Sequence, residues 1–139
     1  MRQFDDCLDL RCSINEIDGK IRELQEKNYA PRNQVISDMP KGGGGNSIEQ
    51  YVIKIDKYNQ KKKWLQKKLD NLWDETVELM KGNGIKDENI ILMRYHFYVG
   101  LSWSECSKKM KNEYPEQKWY SQKCYGRYIA VLSKINNNR

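Results

Sequence analysis

Few residues in this sequence are of the kinds that build metal centres, disulfide frameworks or membrane spans. The 139 residues include four cysteines, none in a CxxC pair, and one histidine. Because this set lacks the ligand spacing of a zinc site, we expect no metal, no cofactor and free thiols suited to a reducing compartment. No apolar leader opens the chain, and no apolar run approaches the ~18–20 residues of a membrane helix. The sequence therefore predicts a soluble, cytoplasmic protein with no membrane partner.

The residues of enzyme active sites are also scarce. His96 has aromatic neighbours along the chain, and no serine, cysteine or carboxylate pair stands at a spacing that would make a catalytic base useful. A structural histidine is therefore the preferred interpretation. Cys106 and Cys124 fall at positions that the helical pattern marks as at least partly buried, which makes them poor nucleophiles. We expect that the protein is not an enzyme.

Positive charge is concentrated in the C-terminal part of the chain. Residues 1–80 contain 14 Lys and Arg against 14 Asp and Glu, whereas residues 81–139 contain 11 against 5, which accounts for the whole net charge of +6. A localised basic field concentrates a polyanion at one surface and adds salt-dependent affinity for DNA or RNA. A basic face that only keeps the protein in solution is the alternative that charge leaves open.

Two long helical patterns precede the basic part. The first covers residues 5–28 and has apolar or thiol side chains at steps of three and four residues, with charged residues on its other faces. The second covers residues 48–80 and repeats the same seam, after an S-x-x-Q capping box at Ser47 and Gln50. The seam residues are Cys7, Leu10, Ile14, Ile17, Ile21 and Leu24 in the first helix, and Ile48, Tyr51, Ile55, Tyr58, Lys62, Leu65, Leu69, Leu72, Thr76 and Leu79 in the second.

Residues 31–47, which connect these helices, include Pro40 and the run Gly42–Gly45, and we interpret them as a flexible loop. The two helices then form an antiparallel hairpin within residues 1–81, or they pair between two chains as a homodimer, and the pattern permits both. Because the second helix is the longer one, Trp73 and Leu79 are expected to pack on the C-terminal part or on a second subunit.

From Asp87 onward the pattern changes to three short helices separated by tight turns. Asp87 is a candidate cap of the first, and Ser102 with Glu105 forms an S-x-x-E capping box for the second. Gly100 separates these two helices, and Ser121 is a candidate cap of the third. The expected buried residues are Ile90, Met93 and Phe97 in the first, Trp103, Cys106, Ser107 and Met110 in the second, and Tyr125, Tyr128, Ile129, Leu132 and Ile135 in the third.

Three short helices with a basic, amide-bearing turn on the last have the outline of a helix-turn-helix. In that motif the final helix enters the major groove of DNA with its N-terminal turn foremost, where Gln pairs with adenine and Arg or Lys reaches guanine. Gln122, Lys123 and Arg127 are the residues of this type here. The sequence therefore predicts an all-α protein, with a long helical hairpin at residues 1–81 and a DNA-binding helix-turn-helix at residues 82–139.

The segment MRYHFYVGLSWSE, Met93 to Glu105, resembles the C-terminal helix-turn-helix of bacterial sigma factors. More closely, it resembles the small phage and prophage regulators of the ArpU and RinA type. Residues 37–45, SDMPKGGGG, are similar to a loop of related phage proteins of Gram-positive hosts. The resemblance implies a sequence-specific regulator in a bacterial host cell, with double-stranded DNA as its partner, acting on late or packaging-region transcription.

The resemblance also implies roles for single residues at matching positions. It implies that the start and outer face of the recognition helix are formed by Ser121, Gln122, Lys123 and Arg127. It implies that DNA phosphates are met by Ser102, Lys108 and Lys109, and Lys118 in the following turn completes the candidate DNA-binding set. Two alternatives stay open: a small terminase subunit of phage DNA packaging, which also joins a helix-turn-helix to long helices, and an interaction module that binds RNA polymerase.

Overall fold

The structure, a computed structural model, describes residues 2–29 and 41–137, and over these residues the chain is helical and contains no strand. The predicted all-α class is confirmed. The helices are α1 (Arg2–Tyr29), α2 (Lys41–Gly82), α3 (Asp87–Met93), α4 (Trp103–Glu113) and α5 (Ser121–Asn137), and a π-helical turn, Arg94–Tyr98, continues α3. None of the helices in the described ranges combines the length and the apolar character that crossing a membrane would require.

The chain divides into two compact units, and the division falls within the two long helices. The larger unit comprises the described residues up to Cys12 and those from Lys68 onward, whereas the smaller unit comprises the described residues between Ser13 and Lys67. The sequence places a domain boundary near residue 82, after the second long helix. In the structure the start of α1 and the end of α2 belong to the same compact unit as the three short helices.

The helix α2 begins earlier than its capping motif predicts. Its backbone is helical from Lys41, so Gly42–Gly45 belong to α2 and Ser47 lies inside it. The predictions of a flexible loop as far as residue 47, and of a capping box at Ser47 and Gln50, were therefore wrong, and residues 30–40 lie outside the described range. Glycine in a helix interior costs up to about 1 kcal/mol relative to alanine. Extending a formed helix nevertheless adds one backbone hydrogen bond for each residue fixed, which offsets that cost.

The smaller unit is formed by one stretch of α1 and one stretch of α2. Ile14, Ile17 and Leu65 are buried there, as the seam predicts, and Lys62 Nζ lies 2.6 Å from Asp18 Oδ1. This ion pair is partly exposed, so it contributes only about 0–1 kcal/mol to stability. The sequence also places Ile48 in the seam, but the structure exposes it. Four large apolar side chains of α2 are more than half exposed: Ile48, Val52, Ile53 and Trp64.

Aromatic side chains form the centre of the larger unit. Phe4 stacks on Phe97 with ring centroids 4.7 Å apart, and Tyr128 approaches these two rings at 5.8 and 5.1 Å. Trp73 is 6% exposed, and its ring lies 6.0 Å from that of Tyr98. Trp73 therefore packs on the C-terminal part of its own chain, which is one of the two arrangements that the sequence leaves open.

Two glycines fix the connections on either side of α3. Gly84 and Gly100 have φ of +73° and +90°, a region that glycine enters without steric cost. Gly100 ends the π-helical turn, as predicted. The α3 helix begins at Asp87, but Lys86 occupies the cap position and makes no side-chain capping bond, so the prediction that Asp87 caps the helix was wrong. Asp87 lies in the first turn of α3, where the positive end of the helix dipole stabilises a carboxylate.

The short helices bury most of the residues that their spacing predicts. Ile90, Met93 and Phe97 are buried, and so are three of the four residues predicted in α4, namely Cys106, Ser107 and Met110. Of the residues predicted to be buried in α5, Ile135 is buried, and Tyr128 and Leu132 are half-buried. The prediction was wrong for Tyr125 and Ile129, which are 50% and 41% exposed. The buried side chains of this helix are Cys124, Val131 and Ile135.

Candidate nucleic-acid interface

The α4 helix begins with the capping box that the sequence predicts. Ser102 Oγ accepts a hydrogen bond from the Glu105 amide at 3.2 Å, and the Ser102 amide donates to Glu105 Oε1 at 3.1 Å. These two bonds satisfy amide groups that have no partner inside the helix. The backbone hydrogen bond from Ser102 lowers the pKa of Glu105, so a carboxylate stands beside Ser102 at neutral pH.

Three lysines of the predicted DNA-binding set are exposed in the structure. Lys108 and Lys109 lie on α4, and Lys118 lies in the turn between α4 and α5. Each presents an ammonium group in the part of the chain that carries the positive excess. An exposed ammonium group suits a phosphate contact that adds affinity without reading sequence.

The turn from Tyr114 to Tyr120 is anchored by a buried tryptophan. Trp119 is 2% exposed, and its indole nitrogen donates a hydrogen bond to the Tyr114 carbonyl at 3.3 Å. The Gln117 amide donates to the same carbonyl at 3.2 Å. The Trp119 side chain therefore packs this long connection against the helices. The Tyr120 carbonyl accepts a hydrogen bond from the Cys124 amide at 3.1 Å. Tyr120 therefore occupies the cap position, and Ser121 is the first helical residue of α5.

Two cations of α5 lie over this tryptophan. Lys123 Nζ is 4.5 Å from the centre of the Trp119 ring, and the Arg127 guanidinium carbon is 5.0 Å from it. Lys123 Nζ also donates to the Lys118 carbonyl at 2.5 Å. A cation over an indole face contributes about 0.5–2 kcal/mol, with the larger values where water is excluded. Both side chains thus help to hold the turn on α5.

Arg127 is also the centre of a polar network that joins α3, the turn and α5. Its Nη1 donates to Glu88 Oε1 at 3.1 Å and to Asn89 Oδ1 at 2.9 Å, and its Nη2 donates to Gln117 Oε1 at 3.2 Å. Gln117 Nε2 in turn donates to Glu88 Oε2 at 3.3 Å. The Arg127 and Glu88 side chains are only 28% and 19% exposed, so the pair is stronger than a surface ion pair.

These contacts divide the predicted recognition residues into two groups. Ser121 and Gln122 are exposed at the start of α5, whereas Lys123 and Arg127 are half-buried and bonded to the rest of the unit. A base-reading role for Arg127 stays a prediction, and it would require the guanidinium to leave its acceptors on Glu88, Asn89 and Gln117.

Sequence reasoning missed the residues that surround Arg127. Glu88, Asn89, Gln117 and Trp119 received no role, although they hold the turn and the start of α5. One signal was present, because Trp119, Lys123 and Arg127 follow one another at steps of four residues, the spacing that stacks side chains on one helical face. The contact to Glu88 crosses 39 residues and has no local signature.

Uncharged residues form one exposed face of α5, and Lys134 is also exposed near the end of the helix. Gln122, Gly126, Ala130 and Ser133 are exposed, and Tyr125 and Ile129 are exposed between them. A Cβ atom added at Gly126 would meet nothing within 4 Å. The packing of the unit therefore does not require glycine there, and this side of the helix is open to another molecule.

Two titratable groups of the larger unit, His96 and Cys106, have the environment of structural residues. The His96 ring stacks on Trp103 with centroids 3.7 Å apart, its Nδ1 is 2.7 Å from the Leu101 carbonyl, and burial lowers its pKa. Burial also raises the pKa of Cys106 to about 12, so that this thiol is protonated at neutral pH. Within the described ranges, no group of three or more His, Cys, Asp or Glu residues is arranged to hold a metal ion.

Comparison of the chain with protein-family models, with curated proteins and with solved structures finds no match. We therefore infer function from the arrangement of α4, the turn and α5 and from the chemistry of their exposed residues.

Proposed function

We propose that this protein is a sequence-specific, DNA-binding regulator of phage transcription that reads the major groove with α5. The observation that supports this proposal most is the exposure of Ser121 and Gln122 at the start of α5, in a unit where α4 packs against α5. In this proposal α4, the turn and α5 form the helix-turn-helix, and α1 and α2 form a hairpin arm. Gln122 has the side chain that pairs bidentately with adenine.

In the proposed complex, lysines supply the contacts to the DNA backbone. Lys108, Lys109 and Lys118 are exposed, and each would neutralise a phosphate and release a counterion. Ser102 serves α4 as its cap, and the Glu105 carboxylate beside it would repel a phosphate. We therefore assign the phosphate contacts to the lysines and a structural role to Ser102.

Lys123 and Arg127 position the recognition helix in this proposal. Their bonds to the turn and to α3 fix the start of α5 before DNA arrives. Preorganisation of this kind improves affinity, because less conformational freedom is lost on binding.

The proposal is tested by measuring binding of the full-length protein to duplex DNA at several salt concentrations. We expect affinity to fall with salt, and Lys108→Ala to reduce the slope of log K against log salt by about one. Lys20→Ala is the matched control, because Lys20 is also exposed but lies on α1 in the smaller unit. Loss of affinity without a change of sequence preference is expected for Lys108→Ala.

Two results would contradict the proposal. The first is an absence of DNA binding at low salt by a protein whose circular dichroism shows it to be folded. The second is an equal effect of Lys108→Ala and Lys20→Ala on the salt slope, which would mean that the helix-turn-helix has no special part in binding.

A small terminase subunit of phage DNA packaging is a second candidate, and the exposed apolar side chains of α2 favour it. Ile48, Val52, Ile53 and Trp64 are each more than half exposed, and such residues suit contacts between copies of the chain. A packaging subunit is expected to form a large closed ring in native mass spectrometry. A regulator is expected to remain a monomer, or a homodimer through its long helices.

A further inference from the structure

The exposed side of α5 offers a limited set of chemical groups for recognition. Gln122, Tyr125, Gly126 and Ile129 follow one another at steps of three, one and three residues, so they share one face of the helix. Tyr125 is 50% and Ile129 is 41% exposed, and Gln122 is exposed at the N-terminal turn. This face therefore presents one amide, one phenol and one aliphatic side chain.

The cations that would read guanine are engaged elsewhere. Guanine is usually read by Arg or Lys donating to its O6 and N7 atoms. On α5, Lys123 donates to the Lys118 carbonyl, and Arg127 donates to Glu88, Asn89 and Gln117. The third cation of this helix, Lys134, donates to the Gly84 carbonyl at 3.0 Å. Guanine readout by α5 would have to compete with these bonds, which already hold the three cations against the unit.

We infer that α5 selects A·T base pairs, with Gln122 pairing with an adenine and Ile129 contacting the methyl group of a thymine. This inference rests on the proposed DNA-binding function and names the bases that the proposed helix reads. Glutamine is bidentate to adenine N6 and N7, and apolar side chains distinguish thymine by its C5 methyl group. Gly126, on the same face, has space for a close approach of the bases or the backbone.

Charge favours DNA over a protein as the occupant of this face. Residues 81–139 have a net charge of +6, from 11 basic and 5 acidic residues. Lys108, Lys109 and Lys118 are exposed in the same unit. A polyanion is thus attracted to the segment that forms α3, α4 and α5, whereas an apolar protein surface would gain nothing from the charge of that segment. Binding of a protein at this face is one of the outcomes that the experiments distinguish.

The first experiment is in vitro selection of duplex DNA by the purified full-length protein. We expect the selected sites to share a core of A·T pairs, and Gln122→Ala to reduce preference at one adenine by about 5- to 150-fold. A consensus whose core is G·C, with preference lost in Arg127→Ala but kept in Gln122→Ala, would overturn the inference.

The second experiment replaces single thymines of the selected site by deoxyuridine, which removes the methyl group and keeps the base pairing. We expect one such replacement to weaken binding by about 3- to 5-fold, the effect of burying one methyl group. Ile129→Ala should abolish the sensitivity at that position. Ile53→Ala should retain it, because Ile53 is similarly exposed at 52% but lies on α2 in the smaller unit.

The outcomes separate the inference from the function on which it rests. Failure to bind any DNA sequence would overturn both. Binding with an adenine preference that falls in Gln122→Ala, and with a methyl sensitivity that is lost in Ile129→Ala, would support both. Binding in which every thymine tolerates deoxyuridine would overturn the inference alone. A change of oligomeric mass in Ile129→Ala, with DNA selectivity unaltered, would overturn it as well and would assign the face to a protein contact.

Discussion

The larger and the smaller unit bury apolar side chains to different extents. In the larger unit, Phe4, Leu69 and Met110 are fully buried, and ring contacts connect α1, the π-helical turn and α5. In the smaller unit the buried apolar side chains among the described residues are Ile14, Ile17 and Leu65, and several large ones are exposed. The larger unit is therefore stabilised by apolar contacts among several helices, whereas the smaller unit is stabilised by a single seam between two helices.

Truncation of a side chain at the centre of the aromatic cluster tests this difference most directly. Phe97 is 2% exposed and contacts the rings of Phe4, Trp103 and Tyr128. We expect Phe97→Ala to lower the free energy of unfolding by about 3–5 kcal/mol, because the cavity cannot close fully. Urea unfolding followed by circular dichroism measures this change.

Ile53→Ala is the control for that experiment. Ile53 is 52% exposed in the smaller unit, and its truncation should change stability by less than about 0.5 kcal/mol. A large loss for Ile53→Ala, or a small one for Phe97→Ala, would mean that the two units do not differ in the way described.

The next largest effect is expected at Arg127. Removal of its guanidinium leaves Glu88, Asn89 and Gln117 without their shared donor, so Arg127→Ala should cost about 1–3 kcal/mol of unfolding free energy. Arg127→Lys keeps the charge but lacks the planar fork, and we expect it to recover only part of the loss. Urea unfolding of the two variants measures both values.

An unchanged stability of Arg127→Ala, together with relaxed preference at one base pair of a selected DNA site, would reverse the assignment. Arg127 would then read a base, as the helix-turn-helix pattern predicts, and its bonds to Glu88 would be of little consequence. Comparison of stability with base preference in the same variant therefore separates a positioning residue from a reading residue.

The outcome of the sequence predictions depends on how local each signal is. The Ser102 capping box and the buried positions Ile90, Met93 and Phe97 follow from spacing within one helix, and the structure confirms them. Burial of Tyr125 and Ile129 was wrongly predicted, because apolar spacing along α5 does not separate them from Cys124 and Val131, which the fold buries. Which side of α5 faces inward is decided by α3 and α4, and single-helix periodicity contains no information about them.

The same limit applies to the candidate site. Exposure of Gln122 and Ser121 agrees with their predicted position on the surface of α5. The engagement of Arg127 could not be predicted, since Glu88 lies 39 residues away and the turn that supplies Gln117 has no regular structure. The early start of α2 at Lys41 was missed because glycine runs favour turns in most contexts.

A smaller effect is expected from the cap of α4. Ser102→Ala removes the acceptor of the Glu105 amide, and loss of such a cap costs about 0.5–2 kcal/mol. Ser104→Ala is the matched control, because Ser104 is exposed two residues further on and the Ser107 hydroxyl bonds to its backbone carbonyl, which the substitution keeps. Equal unfolding midpoints of the two variants in urea would contradict the capping role.

A weaker, pH-dependent effect is expected from His96. Burial lowers the pKa of its ring from the ordinary value of 6.5, and the hydrogen bond with the Leu101 carbonyl opposes this in part. Between the lowered pKa and 6.5 the unfolded chain binds a proton that the folded chain does not. The contribution of His96 to the free energy of unfolding is therefore fully present above pH 6.5. It declines as the pH falls from 6.5 toward the lowered pKa.

The His96→Gln variant isolates this contribution, because every other titratable group is the same in both proteins. We expect the difference in unfolding midpoint between His96→Gln and the native protein to change as the pH is lowered from about 8 to 5. A constant difference over that range would show that the ring is protonated equally well in the folded and unfolded chain.

The smallest effect, and the one with the opposite sign, is expected at Gly126. Its φ is not positive, and an added Cβ meets nothing within 4 Å, so Gly126→Ala should raise the free energy of unfolding by up to about 1 kcal/mol. Gly19→Ala makes the same change on α1 in the smaller unit, also in open space, and should give a similar gain. If α5 enters the major groove, only Gly126→Ala should weaken DNA binding, because only there would the methyl group stand between the helix and the duplex. Equal stabilisation by the two variants with equal DNA affinity would mean that the Gly126 side of α5 does not approach DNA closely.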